Sequence, residues 1–160
     1  SAEKALEIED LQNLDTDEVV VELAPVIEGA AGRARDRTPS PAVHVEQPDA
    51  VSVRAHPLLP VAIDEAIDNA VEHNDCSHLT IAIDVEQVTD GIVIEIADDG
   101  RGIPETDWTS LDLEEETPLE HASGVGLWLI KWIVETSGGS FTVRSNDRGG
   151  TTIGMELPRG

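Results

Sequence analysis

The chain has 160 residues, one domain's worth of sequence, and its apolar fraction of 39% permits a sizeable core. It carries 33 Asp and Glu against 10 Lys and Arg, a net charge of −23, which argues against nucleic acid and acidic membranes as partners. Its apolar runs are too short to span a bilayer, "SAEKALEIED" has no basic-then-apolar signal pattern, and the single Cys76 cannot form an intramolecular disulfide, so the expectation is a cytoplasmic protein.

Residues 1–14 read as a helical stub, too short to bury a face alone. "LDTDEVVVELAPVIEGAAGRARDR" then predicts a helix, with Asp15 or Thr16 as N-cap, Asp17 and Glu18 in the first turn, and Pro25 placed to kink it. "TPSPAVHVEQPDAVSV" predicts a turn and two short strands, 42–46 and 51–54, paired as a hairpin. A second helix runs from Leu58 to His73. "HLTIAIDVEQVTDGIVIEIAD" is two alternating strands across Thr89-Asp90-Gly91. Residues 104–122 lack a steady period and read as a mobile loop. A third helix, 124–137, stops at Gly138-Gly139, and strands 140–145 and 151–157 close around "NDRGG". Hairpins rather than βαβ alternation predict an α+β two-layer sandwich, with three helices on one face of a mixed, mostly antiparallel sheet of about five strands. Neither GxGxxG nor GxxxxGK[ST] occurs, which closes the Rossmann and P-loop routes to a nucleotide.

Three separated segments carry the chemistry. In "DEAIDNAVEHN", residues 64–74, Glu65, Asn69 and Glu72 share one stripe of a helix whose packing face is Ala62, Ile63, Ala66, Ile67 and Ala70. Asn69 sits at the border of stripe and core, where an amide is costly without partners. A neutral oxygen ligand beside a carboxylate suits Mg²⁺; a solvated acidic stripe explains the spacing equally well. In "IVIEIADDGRGIPETDW", 92–108, a strand pattern ends on Asp98-Asp99-Gly100-Arg101-Gly102. A carboxylate at a strand end can accept a hydrogen bond from an exocyclic amine, and glycines let backbone approach a flat ring; an ordinary Asp-Gly turn is the alternative. In "SGVGLWLIKWIVETSGG", 123–139, Gly124-Val125-Gly126 lies at a helix start, where free N–H groups and the positive dipole end attract phosphate. A tight turn has the same signature.

In this order and spacing, and with the closing "RGGTTIGMELP", the segments resemble the ATP-binding catalytic domain of sensor histidine kinases, in the superfamily shared with gyrase, Hsp90 and MutL. The resemblance runs from about residue 56 to about residue 158, with the N box at 65–74 and the two glycine boxes at Asp98–Gly102 and Gly124–Leu127. It implies a Bergerat-type fold over 15–160, with 1–14 as the end of a dimerisation helix. By that resemblance, Asp98 takes the adenine amino group, with Gly100, Gly102 and Ile103 along the base and Thr151 supporting it. Asn69 holds Mg²⁺ on the phosphates of ATP, which Gly124, Val125, Gly126 and Leu127 cover. His73 and His121 come within reach of the nucleotide, and 104–122 forms the ATP lid. The implied partners are a helical hairpin of the same full-length, homodimeric protein, bearing the acceptor histidine, and a downstream response regulator; no direct membrane contact is expected.

The sequence departs from the pattern in places. Glu65 stands where kinases often carry Asn, as in gyrase and Hsp90, where that Glu activates water, so Glu65 is the catalytic candidate, as a base or as an outer ligand to Mg²⁺. Glu72 replaces a frequent basic residue, and the lid offers Trp108 in place of two phenylalanines. None of the five histidines has a phosphoacceptor context; all five, His44, His56, His73, His78 and His121, read as solvent-exposed or capping, with His73 and His121 also within reach of the nucleotide. Trp128 and Trp132 flank the polar stripe of Lys131 and Glu135, as core residues or as a docking patch. The expected function is a protein-histidine kinase catalytic domain lacking its own acceptor. The alternatives are a serine kinase of the anti-sigma-factor type, an ATP-hydrolysing member, or an ATP sensor that signals through lid ordering.

An acidic surface with only Lys4 and Lys131 as lysines resembles the proteins of salt-loving microbes, halophilic archaea in particular. Screening shortens from about 10 Å at 0.1 M to about 3 Å at 1 M salt, relieving carboxylate repulsion. The thermal midpoint is expected to climb between about 0.1 and 3 M KCl; a flat profile would remove the halophile inference.

Overall fold

The computed structural model describes residues 18–72, 74, 76–100 and 122–160, with side chains for all of these except 76 and 122–125. Val19–Glu22 is β1, Leu23–Arg35 α1, Ala42–Glu46 β2, Ser52–Ala55 β3 and Leu59–Glu72 α2. After a 3-10 turn at Cys76–His78 come β4 (Thr80–Val88), β5 (Gly91–Asp98), α3 (Ala122–Thr136), β6 (Ser140–Ser145) and β7 (Thr151–Leu157). Five strands form one sheet in the order β2-β4-β5-β7-β6, antiparallel except for β2 beside β4. β1 and β3 form a separate antiparallel pair. The expected mixed α+β sandwich with three helices is what the chain adopts.

Strand alternation decides which face of the sheet is covered. Ile81, Ile83 and Val85 of β4, Ile92, Ile94 and Ile96 of β5, and Ile153, Met155 and Leu157 of β7 are buried against the helices. The residues between them point the other way: Asp84 and Glu86 are exposed, and Glu95 pairs with Arg144 at 2.9 Å. α2 contributes Leu59, Ala62, Ile63, Ala66, Ile67 and Ala70 to the core, and α3 contributes Leu127, Leu129, Ile130, Ile133 and Val134. Each fully buried Leu or Ile is worth about 1.5–3 kcal/mol. The second and third helices and the four strands from 80 to 157 lie within two residues of their expected bounds. α3 ends as its two glycines dictate: Gly138 has φ +82° and Gly139 N–H donates to Val134 O at 3.0 Å.

The N-terminal half corrects two expectations. The helix expected from Asp15 begins only at Leu23, because Val19-Val20-Val21 pairs with β3 in the register Val19–Ala55 to Glu22–Ser52. Three consecutive β-branched side chains favour that choice. Glu22 is extended, Leu23 N–H donates to Val51 O at 2.9 Å, and Pro25 falls in the first turn, where its missing N–H costs nothing. Residues 1–17, including Asp15, Thr16 and Asp17, lie outside the described residues. The expected hairpin of 42–46 with 51–54 does not form either. β2 joins the main sheet parallel to β4, across a crossover that carries α2, while β3 takes β1 and the C-terminal tail, Arg54 N–H donating to Pro158 O and Gly160 N–H to Ser52 O.

Among the expected exposed or capping histidines, His44 and His78 are exposed but His56 is buried. It caps the start of α2: Nδ1 accepts from Leu58 N–H at 3.0 Å, and its carbonyl accepts from Leu59 N–H. Its own N–H donates to Ser137 Oγ at 2.8 Å, which fixes this corner to the end of α3. Its ring meets Trp132 edge-on at 5.5 Å. Trp132 and Trp128 are half-buried against the core, the packing alternative of the two weighed for them. Burial lowers the His56 pKa below its usual value. A lowered native pKa means that the unfolded chain takes up the proton first, so stability is full above about pH 6.5 and is lost as pH falls through the native value. The thermal midpoint of the wild type is therefore expected to fall, relative to His56→Asn, as pH drops from about 7 to about 5; parallel profiles would show that His56 does not titrate in this range.

Candidate nucleotide site

α2 brings the first pair of candidate residues together. Glu65 and Asn69 are one turn apart and both buried, at 8% and 4% exposure, whereas Glu72 is exposed. The polar stripe read from the sequence therefore splits: its first two members face inward and only its last is solvated. The cause is α3. A Cβ placed on Gly126 would lie 3.1 Å from Glu65 Oε2 and 3.5 Å from Asn69 Oδ1, so the first turns of α3 rest directly on this pair. Among the described residues, Asn69 Nδ2 is the buried side-chain polar atom without a hydrogen-bond partner. An unpaired buried amide costs about 1–3 kcal/mol.

The glycines of α3 sit slightly differently from expectation. The helix starts at Ala122, so Gly124 is its third residue, the last whose N–H lacks an intrahelical acceptor, and Val125 and Gly126 follow it. Leu127 is fully buried in the core and offers the site only its backbone.

The second cluster is the end of β5, where the two adjacent aspartates divide their work by strand alternation. Asp98 is buried at 8% exposure, and its Oδ1 accepts from Gly100 N–H at 2.9 Å. Asp99 points the other way and extends the β4–β5 ladder: its Oδ1 accepts from Thr80 N–H at 2.8 Å and its N–H donates to Thr80 O. A Cβ on Gly100 would collide with the Asn74 amide at 2.2 Å. Asn74 in turn donates to Ala70 O at 2.7 Å, so Gly100 is seated against the C-terminal end of α2. Asn74 lies five residues beyond Asn69, past the end of α2. β5 pairs with β7 as far as Ala97–Thr152, and the next residues along the two strands are Asp98 and Thr151; Thr151 is buried at 2% exposure.

His73, Gly102, Ile103, His121 and the expected lid with Trp108 fall among residues 73 and 101–121, outside the described residues. Two residues of the cluster were not singled out from the sequence. One is Asn74; the other is Asn146, whose Nδ2 donates to Asp98 O at 2.9 Å. The available signal for Asn146 was an Asn opening a Gly-rich hairpin turn.

The profile of the histidine kinase-, DNA gyrase B- and HSP90-like ATPases matches residues 56–160. The chain belongs to this family. The Escherichia coli (strain K12) sensor histidine kinase DpiB is 30% identical over 105 residues, 61% of this chain and 19% of that protein. The Mycobacterium bovis sensor-type histidine kinase PrrB is 28% identical over 147 residues, 89% of this chain and 32% of that protein. The chain thus spans a fifth to a third of the length of these relatives. The crystal structure of the ATP binding domain of PrrB from Mycobacterium tuberculosis superposes with a TM-score of 0.72 at 24% identity, covering 90% of this chain and 98% of that one. The catalytic domain of histidine kinase ThkA superposes with a TM-score of 0.74 at 17% identity, covering 89% and 96%. This is a histidine kinase-type ATPase domain, homologous to sensor histidine kinases, and no described helix is long and apolar enough to cross a membrane.

For an ATPase of this family the seam between α2 and α3 is directly testable. Gly126→Ala forces the Glu65 carboxylate to give way, and such overpacking costs about 1–3 kcal/mol. ADP affinity is expected to fall at least several-fold while the circular dichroism spectrum is retained. Unchanged affinity would put the seam outside the nucleotide site.

Proposed function

We propose that this chain is the catalytic module of a sensor histidine kinase, binding Mg·ATP and passing its γ-phosphoryl group to a histidine on a separate helical hairpin. The observation that carries the proposal is the unpartnered, buried amide of Asn69 beside the buried carboxylate of Glu65, under the first turns of α3. Turning that amide presents Oδ1 in place of Nδ2, and an amide oxygen next to a carboxylate fits a small hard cation. Asn69, with Glu65 behind it, would hold Mg²⁺; when bound, the ion neutralises charge on the transferred phosphoryl group. Asp98 accepts the adenine amine, Gly100, Gly102 and Ile103 line the base, and Thr151 supports it. The free N–H of Gly124 receives phosphate, with Val125 and Gly126 covering it, a role of weight in a chain of only 10 cationic residues. In the full-length protein the acceptor hairpin and a response regulator are the partners, and the module works in the cytoplasm.

Buried Glu65 favours a second activity at the same site, slow ATP hydrolysis. A neutral imidazole attacks phosphorus through a lone pair and has no proton to lose at the attacking nitrogen. Water does, and general-base help is worth about 10²–10⁴-fold. As a base, Glu65 takes the water proton as the bond from the γ-phosphorus to the bridging oxygen of the leaving ADP breaks. Glu65→Gln is then expected to suppress hydrolysis by that order while transfer to an acceptor hairpin supplied in trans persists. Loss of both with weakened Mg·ATP binding would assign Glu65 to the metal shell instead.

The nucleotide assignment itself is tested by calorimetry. Asp98→Asn is expected to weaken ADP and ATP alike by about 1–3 kcal/mol. Asn69→Ala is expected to weaken them chiefly when Mg²⁺ is present. Unchanged affinity in both variants would overturn the site.

A further inference from the structure

Every hydrogen-bonding position of Asn146 is in use. In the backbone its N–H donates to Gly150 O and its carbonyl accepts from Gly149 N–H, both at 3.1 Å. Its Oδ1 accepts from Arg148 N–H at 3.0 Å and from Gly150 N–H at 3.2 Å. Its Nδ2 donates to Asp98 O at 2.9 Å and to Thr152 Oγ1 at 3.2 Å. Two acceptor and two donor positions at this length belong to asparagine alone: aspartate has no donor, serine has one, and glutamine is a methylene longer.

The bond to Asp98 O is not one the sheet requires. Pairing between β5 and β7 ends at Ala97–Thr152, and the Asn146 side chain extends the tie one residue further, to Asp98 itself. The turn that Asn146 closes also lays Gly150 against that residue; a Cβ there would lie 2.1 Å from Asp98 O and 2.6 Å from Oδ1. The Asp98 backbone is thus held by the 146–150 turn, and its carboxylate lies between Gly150 and the N–H of Gly100.

We propose that Asn146 is a positioning residue for base selection: by clamping the Asp98 main chain it fixes the direction of the Asp98 carboxylate, so that a purine bearing an exocyclic amine is preferred over one bearing a carbonyl there. The inference rests on the assignment of Asp98 to adenine. Adenine offers its amine to the carboxylate, whereas hypoxanthine sets a carbonyl oxygen against it, acceptor against acceptor. Discrimination of that kind depends on where the carboxylate points; binding of the phosphates does not.

The test compares ADP with inosine diphosphate by calorimetry in the wild type, Asp98→Asn, Asn146→Ala and Asn146→Asp. Asn146→Asp keeps the oxygen that caps the turn and turns the donor into an acceptor that faces Asp98 O, so it releases the clamp with the turn's cap in place where Asn146→Ala is too destabilised to measure. The wild type is expected to prefer ADP, and Asp98→Asn to lose most of that preference. Each folded Asn146 variant is expected to narrow the ADP to inosine diphosphate ratio by roughly 3- to 10-fold, the effect of one misdirected hydrogen bond. If both nucleotides weaken in parallel in the Asn146 variants while Asp98→Asn still abolishes the preference, Asn146 is a structural turn residue and the proposal falls alone. If the wild type shows no preference, or Asp98→Asn leaves it intact, the adenine assignment falls and takes the proposal with it.

Discussion

A carboxylate and an unpaired amide one turn apart on α2 are buried where two helices meet, and much of the molecule is arranged around keeping them there. The core face of α2 carries alanine and isoleucine, which pack closely and bring the helix down onto the sheet. The small residues leave room for α3 to cross with Gly126 against the polar pair. A larger side chain at that position would push the helices apart or displace the carboxylate. Core packing and site geometry are here the same constraint, since the helix contact that buries Ile63 and Ile130 also buries Glu65 and Asn69.

The sheet supplies the other half of the site by a similar economy. Period-two alternation puts Ile92, Ile94 and Ile96 in the core and delivers Asp98 to the same face at the last step of β5. Asp99, one residue on, is delivered to the opposite side and holds Thr80. The adjacent carboxylates are therefore not a redundant pair: one lies on the site face and the other prolongs the ladder. The same alternation sends Asp84, Glu86 and Glu95 to the outer face of the sheet, away from the helices that cover the core.

This division explains what the sequence could and could not disclose. The β4–β5 hairpin, α3 with its double-glycine stop, and the closing strands depend on nearest neighbours and turn chemistry, and all three were legible to within two residues. The partners of β2 and β3 were not. Each has the pattern of a half-buried strand, but the choice of β4 for one and β1 for the other is set by contacts some 30 to 40 residues distant in the register pairs Ala42–Thr80 and Val19–Ala55. Val19-Val20-Val21 departs from expectation for a different reason: the capping residues Asp15 to Glu18 signal a helix, while three β-branched residues in a row favour a strand. At the site, the spacing of Glu65, Asn69 and Glu72 fitted a solvated stripe equally well, because burial of the first two is imposed by α3, which lies more than 50 residues downstream. Asn146 was invisible for the same reason, its partner being 48 residues earlier.

His56 shows how far such long-range ties extend from the site. One imidazole caps α2 through Nδ1, packs on Trp132, and through its backbone holds Ser137 at the end of α3, whose Oγ in turn donates to Ile133 O. The start of α2 is thus fixed to the finish of α3, and Gly126 on Glu65 fixes the finish-to-start crossing in the opposite sense. Two helices tied at both ends of their contact have little freedom to slide, which holds the buried polar pair between them in place. Rigidity here comes from packing and capping rather than from ion pairing at the surface.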